Sequence, residues 1–333
     1  MTMQLVSDDP VNRSIWTESV ALQRKIVERE TQPLGVGAQQ AMPKACDQKL
    51  FSPQDPLPWV PDLVGEQFGK DHQSVLVVAS SYNGFIEGYS GRGAVMPLTN
   101  YVKAKNAGVD GLGCFIARFK ECVVDRDENY YQPILRDLLP PAGCDLDCCC
   151  LTDLCKASFV RRGNGPDTGN RGDKGKDSVL EDYWPQWTPY VLGVPDGGSD
   201  TPPPYKWLWH RMQQCRVIVA LGKIAEYGVL KTFQRMAAAP KAWSWRDINV
   251  SPDHPTMTAK VSDWEYGYAS SRRLKHWVEN EDWWVLSDSG TEPRRFLLPV
   301  YHPSGAFSYK LDIGYRNTVP RVRRMIKEAV KRL

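Results

Sequence analysis

Four short, compact apolar runs constrain this chain more than any other feature. They are Ser74–Ala79 (SVLVVA), Leu146–Thr152 (LDCCCLT), Arg216–Leu221 (RVIVAL) and Arg295–Tyr301 (RFLLPVY). Their apolar residues are continuous rather than alternating, which is the pattern of strands buried on both faces. Helical spacing occupies the intervals: Asn129–Leu139 stopping at Pro140–Pro141, Trp207–Gln214, Lys223–Ala238, and a basic amphipathic Val319–Leu333. Strands alternating with helices predict an α/β fold, a three-layer α/β/α sandwich around a short, mainly parallel four-stranded sheet.

The 333 residues exceed what that core needs. Residues 1–60, with an amphipathic helix around Ile15–Arg29 and then Pro, Gln and Gly, read as an N-terminal extension that docks on or trails from the body. Residues 61–333 read as one domain with loop insertions at about 160–205 and 240–290. The first holds Gly163–Lys176 (GNGPDTGNRGDKGK) and Asp196–Pro204 (DGGSDTPPP), which cannot bury a core. The second holds Trp243, Trp245, Trp264, Trp277, Trp283 and Trp284, a density that builds a satellite core or, alternatively, a base-stacking surface.

Charge and cysteine usage narrow the class. No apolar stretch approaches the ~18–20 residues that span a bilayer. The start carries Asp8, Asp9 and Arg13 instead of an apolar signal core. Nine cysteines are an odd set in a chain too large to need disulfide stapling. The expectation is a soluble, reduced, cytoplasmic monomer without membrane contact. Cys144, Cys148, Cys149, Cys150 and Cys155 crowd together, but three consecutive cysteines on a strand point to alternate faces and cannot share one metal. No Cys-x-x-Cys pair is present, so no metal or other cofactor is expected. Net charge is +3, yet basic residues gather at Arg316–Arg332 and at Lys156, Arg161 and Arg162, as a solvated face or a phosphate-facing patch would require.

Ligands of open parallel sheets bind beyond the carboxyl ends of the strands. The residues leaving the four runs are Ser80-Ser81-Tyr82-Asn83-Gly84-Phe85, Asp153-Leu154-Cys155-Lys156, Gly222-Lys223 and His302-Pro303-Ser304-Gly305. In order and spacing, over roughly residues 57–333, this set resembles the uracil-DNA glycosylase superfamily. The sharpest segment is Pro299–Gly305 (PVYHPSG), supported by Val217–Ala225 (VIVALGKIA). The resemblance implies a monofunctional DNA glycosylase that hydrolyses an N-glycosidic bond and leaves an abasic site.

On that resemblance His302 donates to the departing base, because negative charge develops there as the bond breaks, and Ser304 meets a backbone phosphate. Phe307, with Tyr309 second, wedges the duplex as the target base leaves the stack. Tyr82, Phe85 and Tyr89 are candidate stacking partners. Lys156, Arg161 and Arg162 are expected to contact DNA. Two departures matter. Where many members place an Asp or Asn that positions water, this chain has Ser81 with no proline after it. Asn83 two residues on, or an acid such as Asp110, Glu87 or Asp125, would take that role. Where uracil readers place an Asn, this chain has Asp153. A carboxylate only accepts hydrogen bonds, so it repels the uracil O4 and suits the cytosine N4 amino group. Asp153 also reads as a helix N-cap or as the partner of Lys156. Removing ordinary cytosine would destroy the host genome. The expectation is therefore a modified cytosine, such as glucosylated hydroxymethylcytosine, in phage defence. Uracil excision and a catalytically silent nucleic-acid-binding protein are the alternatives.

Overall fold

A computed structural model describes residues 3–17, 60–83, 100, 103–104, 106–124, 131–159, 203–246, 271–288, 291–302 and 315–332. The four apolar runs supply four adjacent parallel strands: β2 (Val75–Asn83), β3 (Cys149–Phe159), β4 (Val217–Leu221) and β7 (Thr291–Val300), side by side in the order β3-β2-β4-β7. The expected four-stranded sheet is too small. The described sheet has seven strands, with β1 (Leu63–Val64), β6 (Trp284–Asp288) and β5 (Pro240–Ser244) added antiparallel at the flanks to give β1-β3-β2-β4-β7-β6-β5. Physical reasons kept these three from view. β1 has two residues, and β5 (PKAWS) carries a proline and a lysine on an edge. β6 belongs to the tryptophan-rich stretch that the sequence placed in a loop insertion.

Alternation along the strands divides the core in two. Val75, Val77 and Ala79 of β2 face one way with Cys149, Leu151, Val219, Leu221, Leu298 and Val300. They meet Phe115, Ile116 and Phe119 of α1 (Gly111–Phe119) and Val322, Met325 and Ile326 of α5 (Tyr315–Lys331). Leu76, Val78, Cys150, Ile218, Ala220 and Leu297 face the other way. There they meet Leu208 and Met212 of α2 (Pro203–Gln213) and Val229, Leu230 and Phe233 of α3 (Lys223–Met236). The sheet is thus covered on both faces. The β2-to-β3 connection moves across the sheet in one direction and carries α1 over the first face. The β3-to-β4 and β4-to-β5 connections move the opposite way and carry α2 and α3 over the second. One crossover hand accounts for all three.

Cys149 and Cys150 fall on opposite faces, as the strand period demands. Burial holds both thiols far above their ordinary ionisation range. Among the described residues no group of three His, Cys, Asp or Glu side chains is placed to hold a metal ion. Of the described tryptophans in this stretch, Trp277, Trp283 and Trp284 are buried core and Trp243 and Trp245 are partly buried. Trp283 and Trp284 are buried on opposite faces of β6, and Trp277 of α4 (Ser271–Glu279) lies 4.8 Å from Trp284. Trp245 stacks on Trp283 at 5.3 Å with Arg332 over its ring at 4.5 Å, so the satellite-core reading accounts for these rings. Trp264 lies outside the described residues. Among the described residues no helix is long and apolar enough to cross a membrane.

The described N-terminal residues dock on the body. Residues 10–17 are helical, Met3, Ile15 and Trp16 are fully buried, and the Trp16 indole donates to the Gly108 carbonyl at 2.7 Å. Asp9 is clamped by Arg211 of α2 through Nη1 at 2.9 Å and Nη2 at 2.5 Å. Arg211 Nε also donates to Asp62 Oδ2 at 2.9 Å, and Asn12 exchanges hydrogen bonds with the Asp62 backbone at 2.7 and 2.9 Å. Lys156 closes this network: its ammonium donates to Asp62 Oδ1 and to Thr152 Oγ1 at 2.6 Å.

Candidate functional site

Strand order locates the crevice. The connection leaving β2 runs to β3 on one side, whereas the one leaving β4 runs to β5 on the other. Adjacent strands whose connections part in this way open a crevice at their carboxyl ends, where ligands of open α/β sheets bind. That switch point lies between β2 and β4. The described residues of the motifs singled out above lie on the four strands or directly after them at this end.

Register sets their heights. Thr152, Val78, Ala220 and Pro299 form one row across the sheet. One residue on, Ala79 pairs with Asp153, and Leu221 with Val300. Asp153 and Val300 therefore stand three strand spacings apart, roughly 14 Å. Asp153 does not leave its strand as the sequence suggested. The segment Leu146–Cys148 is a 3-10 turn and β3 begins at Cys149, so the strand continues past Asp153 to Phe159. β2 likewise runs to Asn83, pairing Ser81 with Cys155 and Asn83 with Phe159 across a register shift. Beyond Val78 and Ala220, where pairing with β4 stops, β2 and β3 project together and form one wall of the crevice.

Asp153 is buried, only 3% exposed, and the buried Tyr131 hydroxyl reaches to 3.4 Å from Oδ2. Alternation along β3 puts Asp153 with Leu151 on the α1/α5 face and Thr152 with Lys156 on the α2/α3 face. Lys156 accordingly pairs with Asp62, not with Asp153. This corrects the expected DNA contact from Lys156. Its side chain is 5% exposed and its ammonium is committed to a buried carboxylate and a hydroxyl. Reaching a phosphate would leave Asp62 without that charge in the interior. Lys156 and Arg211 together hold the Asp62 carboxyl below its usual range despite the opposing effect of burial.

His302 follows β7 by two residues and is half-buried. Burial lowers its imidazole to about 4, so at neutral pH it is uncharged. A neutral imidazole carries one N–H donor and one acceptor nitrogen. Opposite it is Gly222, the residue between β4 and α3, whose amide donates to the Val300 carbonyl at 2.7 Å. Tyr301, next to His302, has a buried hydroxyl with no hydrogen-bond partner among the described residues. Burial and the Glu279 carboxylate push that phenol up to about 12.

The structure thus puts Asp153 and His302 at one end of one sheet. Ser81, Tyr82 and Asn83 lie on the β2 extension at the same end. Phe85, Tyr89, Arg161, Arg162, Ser304, Phe307 and Tyr309 lie outside the described residues, as do Glu87 and Asp125. Asp110 lies in the 3-10 turn before α1. The basic C-terminal helix is largely engaged within the molecule. Arg323 donates to the Asp137 carbonyl through both Nε and Nη2, Arg324 pairs with Glu281, and Arg332 pairs with Glu328 at 2.5 Å. Sequence reasoning missed Tyr131, which gave no signal because it sits in a polar Asn-Tyr-Tyr-Gln stretch; it placed Gly222 at the exit of the third strand without placing it beside His302. No family model, curated protein or solved structure matches this chain.

Proposed function

We propose that this chain is a monofunctional DNA glycosylase acting on a flipped, modified cytosine such as glucosylated hydroxymethylcytosine, in phage defence. The observation that carries the reading is the pairing at the carboxyl end of the sheet of a buried carboxylate on β3 with an uncharged imidazole after β7. An acceptor at Asp153 suits an exocyclic amino group, which cytosine has and uracil lacks. A span of roughly 14 Å between the two strands leaves room for one base hydrogen-bonded at both edges.

The chemistry needs no cofactor. The bond from sugar C1′ to base N1 breaks, and its electron pair departs with the base. A neutral His302 N–H placed against the base O2 stabilises that anion without having to transfer a full proton. Water then adds its oxygen to C1′, one of its protons passes through solvent to the departed base anion, and an abasic sugar remains. Asn83 and Ser81, on the wall formed by β2, are the groups proposed to orient this water. Extrusion of the base costs a few kcal/mol, offset by phosphate contacts proposed for Ser304, Arg161 and Arg162, with Phe307 filling the vacated stack. Tyr82, Phe85 and Tyr89 are proposed to hold the base face.

Matched oligonucleotides carrying uracil, cytosine, hydroxymethylcytosine or glucosylated hydroxymethylcytosine, followed by alkaline cleavage at abasic sites, test this. Cleavage confined to a cytosine form is expected. Cleavage at uracil would overturn the assignment of Asp153, and silence across all four would favour a binding protein.

A further inference from the structure

We propose that Gly222 is a positioning residue for His302: the β4–α3 turn clamps the end of β7 and so fixes where the imidazole stands. This rests on the proposed function only for its catalytic consequence.

Gly222 has φ 88° and ψ 169°. That backbone region is open essentially to glycine alone, since a Cβ there collides with its own chain. The conformation joins two elements at once. The Gly222 amide donates to the Val300 carbonyl at 2.7 Å, extending the β4–β7 ladder one step beyond the Leu221–Val300 pair. Its carbonyl accepts from the Glu226 amide at 3.1 Å and closes the first turn of α3. The backbone of β7 is therefore pinned two residues before His302 by the residue that starts α3. A methyl group built on Gly222 would lie 3.6 Å from the His302 Cβ, and among the described residues no other neighbour comes so near. A side chain at this turn would thus meet His302 itself as well as disturb the strand behind it. A side chain at 222 forces the turn out of its glycine-only conformation, breaks the bond to Val300, and moves the imidazole.

The readout is the titration of His302 in the full chain. With five histidines in the sequence, isotope-labelled imidazole NMR resolves each, and His302→Gln assigns the signal. In the parent protein His302 stays neutral down to about pH 4. In Gly222→Ala its midpoint is expected to climb by at least a unit toward that of a solvated imidazole. The pH profile of base release should move with it, and kcat should fall by about tenfold or more while KM changes little, because the loss lies in the transition state. An unmoved His302 titration in a folded Gly222→Ala protein overturns the proposal. If that variant does not fold, hydrogen exchange of the Gly222 amide in the parent protein decides. Protection on the scale of the central ladders supports the clamp, and exchange like an open loop refutes it. A shifted His302 without base release in the parent would sink the glycosylase reading and leave the clamp standing. Base release with an unmoved His302 would do the reverse.

Discussion

In the proposed glycosylase, Asp153 is the residue on which substrate identity turns and His302 the one on which base departure turns. A buried carboxylate rejects a ligand that offers it only another acceptor, because both lone-pair groups would then be left unsatisfied. Asp153→Asn is therefore expected to lower release of the cytosine-type base by at least about a hundredfold and to raise release of uracil. Competition between the two oligonucleotides in one reaction measures the switch, and equal losses on both would mean that Asp153 reads neither. His302 makes the complementary case at the departing edge of the base. His302→Ala should cost about a hundredfold to a thousandfold in kcat with DNA affinity retained, the scale of losing one donor to a developing anion. Single-turnover kinetics beside a binding isotherm separates the two quantities. Both residues were legible in the sequence, since each lies next to an apolar run. The roles of Tyr131 beside Asp153 and of Gly222 beside His302 were not, because they depend on contacts between segments far apart in the chain.

Between elements, the informative residue is Lys156, which the sequence grouped with Arg161 and Arg162 as a basic patch. Period-2 alternation on β3 sends it to the face opposite Asp153, into a network with Asp62, Thr152 and Arg211. Two acidic and two basic side chains, including Asp9, balance there in near-complete burial. Removing one charge strands its partner, which costs about 3–5 kcal/mol. Lys156→Met should lower unfolding free energy by an amount of that order in urea denaturation, while the salt dependence of DNA binding stays as in the parent. A phosphate-contacting lysine would behave oppositely, reducing the salt slope by about one. The pattern separates elements that the sequence revealed from those it hid. Central strands declared themselves because burial on both faces leaves a continuous apolar signature. The flanking strands β5 and β6 carry Lys241, Ser244, Ser287 and Asp288 and fall in a tryptophan-dense stretch, so they resembled an insertion. The exact ends of β3 were hidden too, because pairing with β2 rather than composition carries it to Phe159.

For the molecule as a whole, the two sites impose a two-stage loss of stability in acid. Burial holds His302 at about 4 in the folded chain, against 6.5 for the solvated imidazole. As pH falls below 6.5 the unfolded chain takes up this proton first, so folding stability declines from there to about 4, by about 3 kcal/mol in total. Asp62 has the opposite charge type but the same direction of loss. Its folded carboxyl lies below the ordinary carboxylate value of 3.8, so its contribution is complete above the unfolded range and vanishes only as pH drops through the lower folded value. The N-terminal residues 3–17 share in the second stage, because Asp9 and Asn12 join the same network around Arg211 and Asp62. Denaturant midpoints measured from pH 7 to pH 3 should therefore fall along two limbs. His302→Gln should flatten the limb between 6.5 and 4 and leave the lower one in place. Asp62→Asn should lower stability throughout and shrink the acid limb instead. If the upper limb persists in His302→Gln, the imidazole is solvated, and the neutral donor on which the proposed chemistry depends is lost with it.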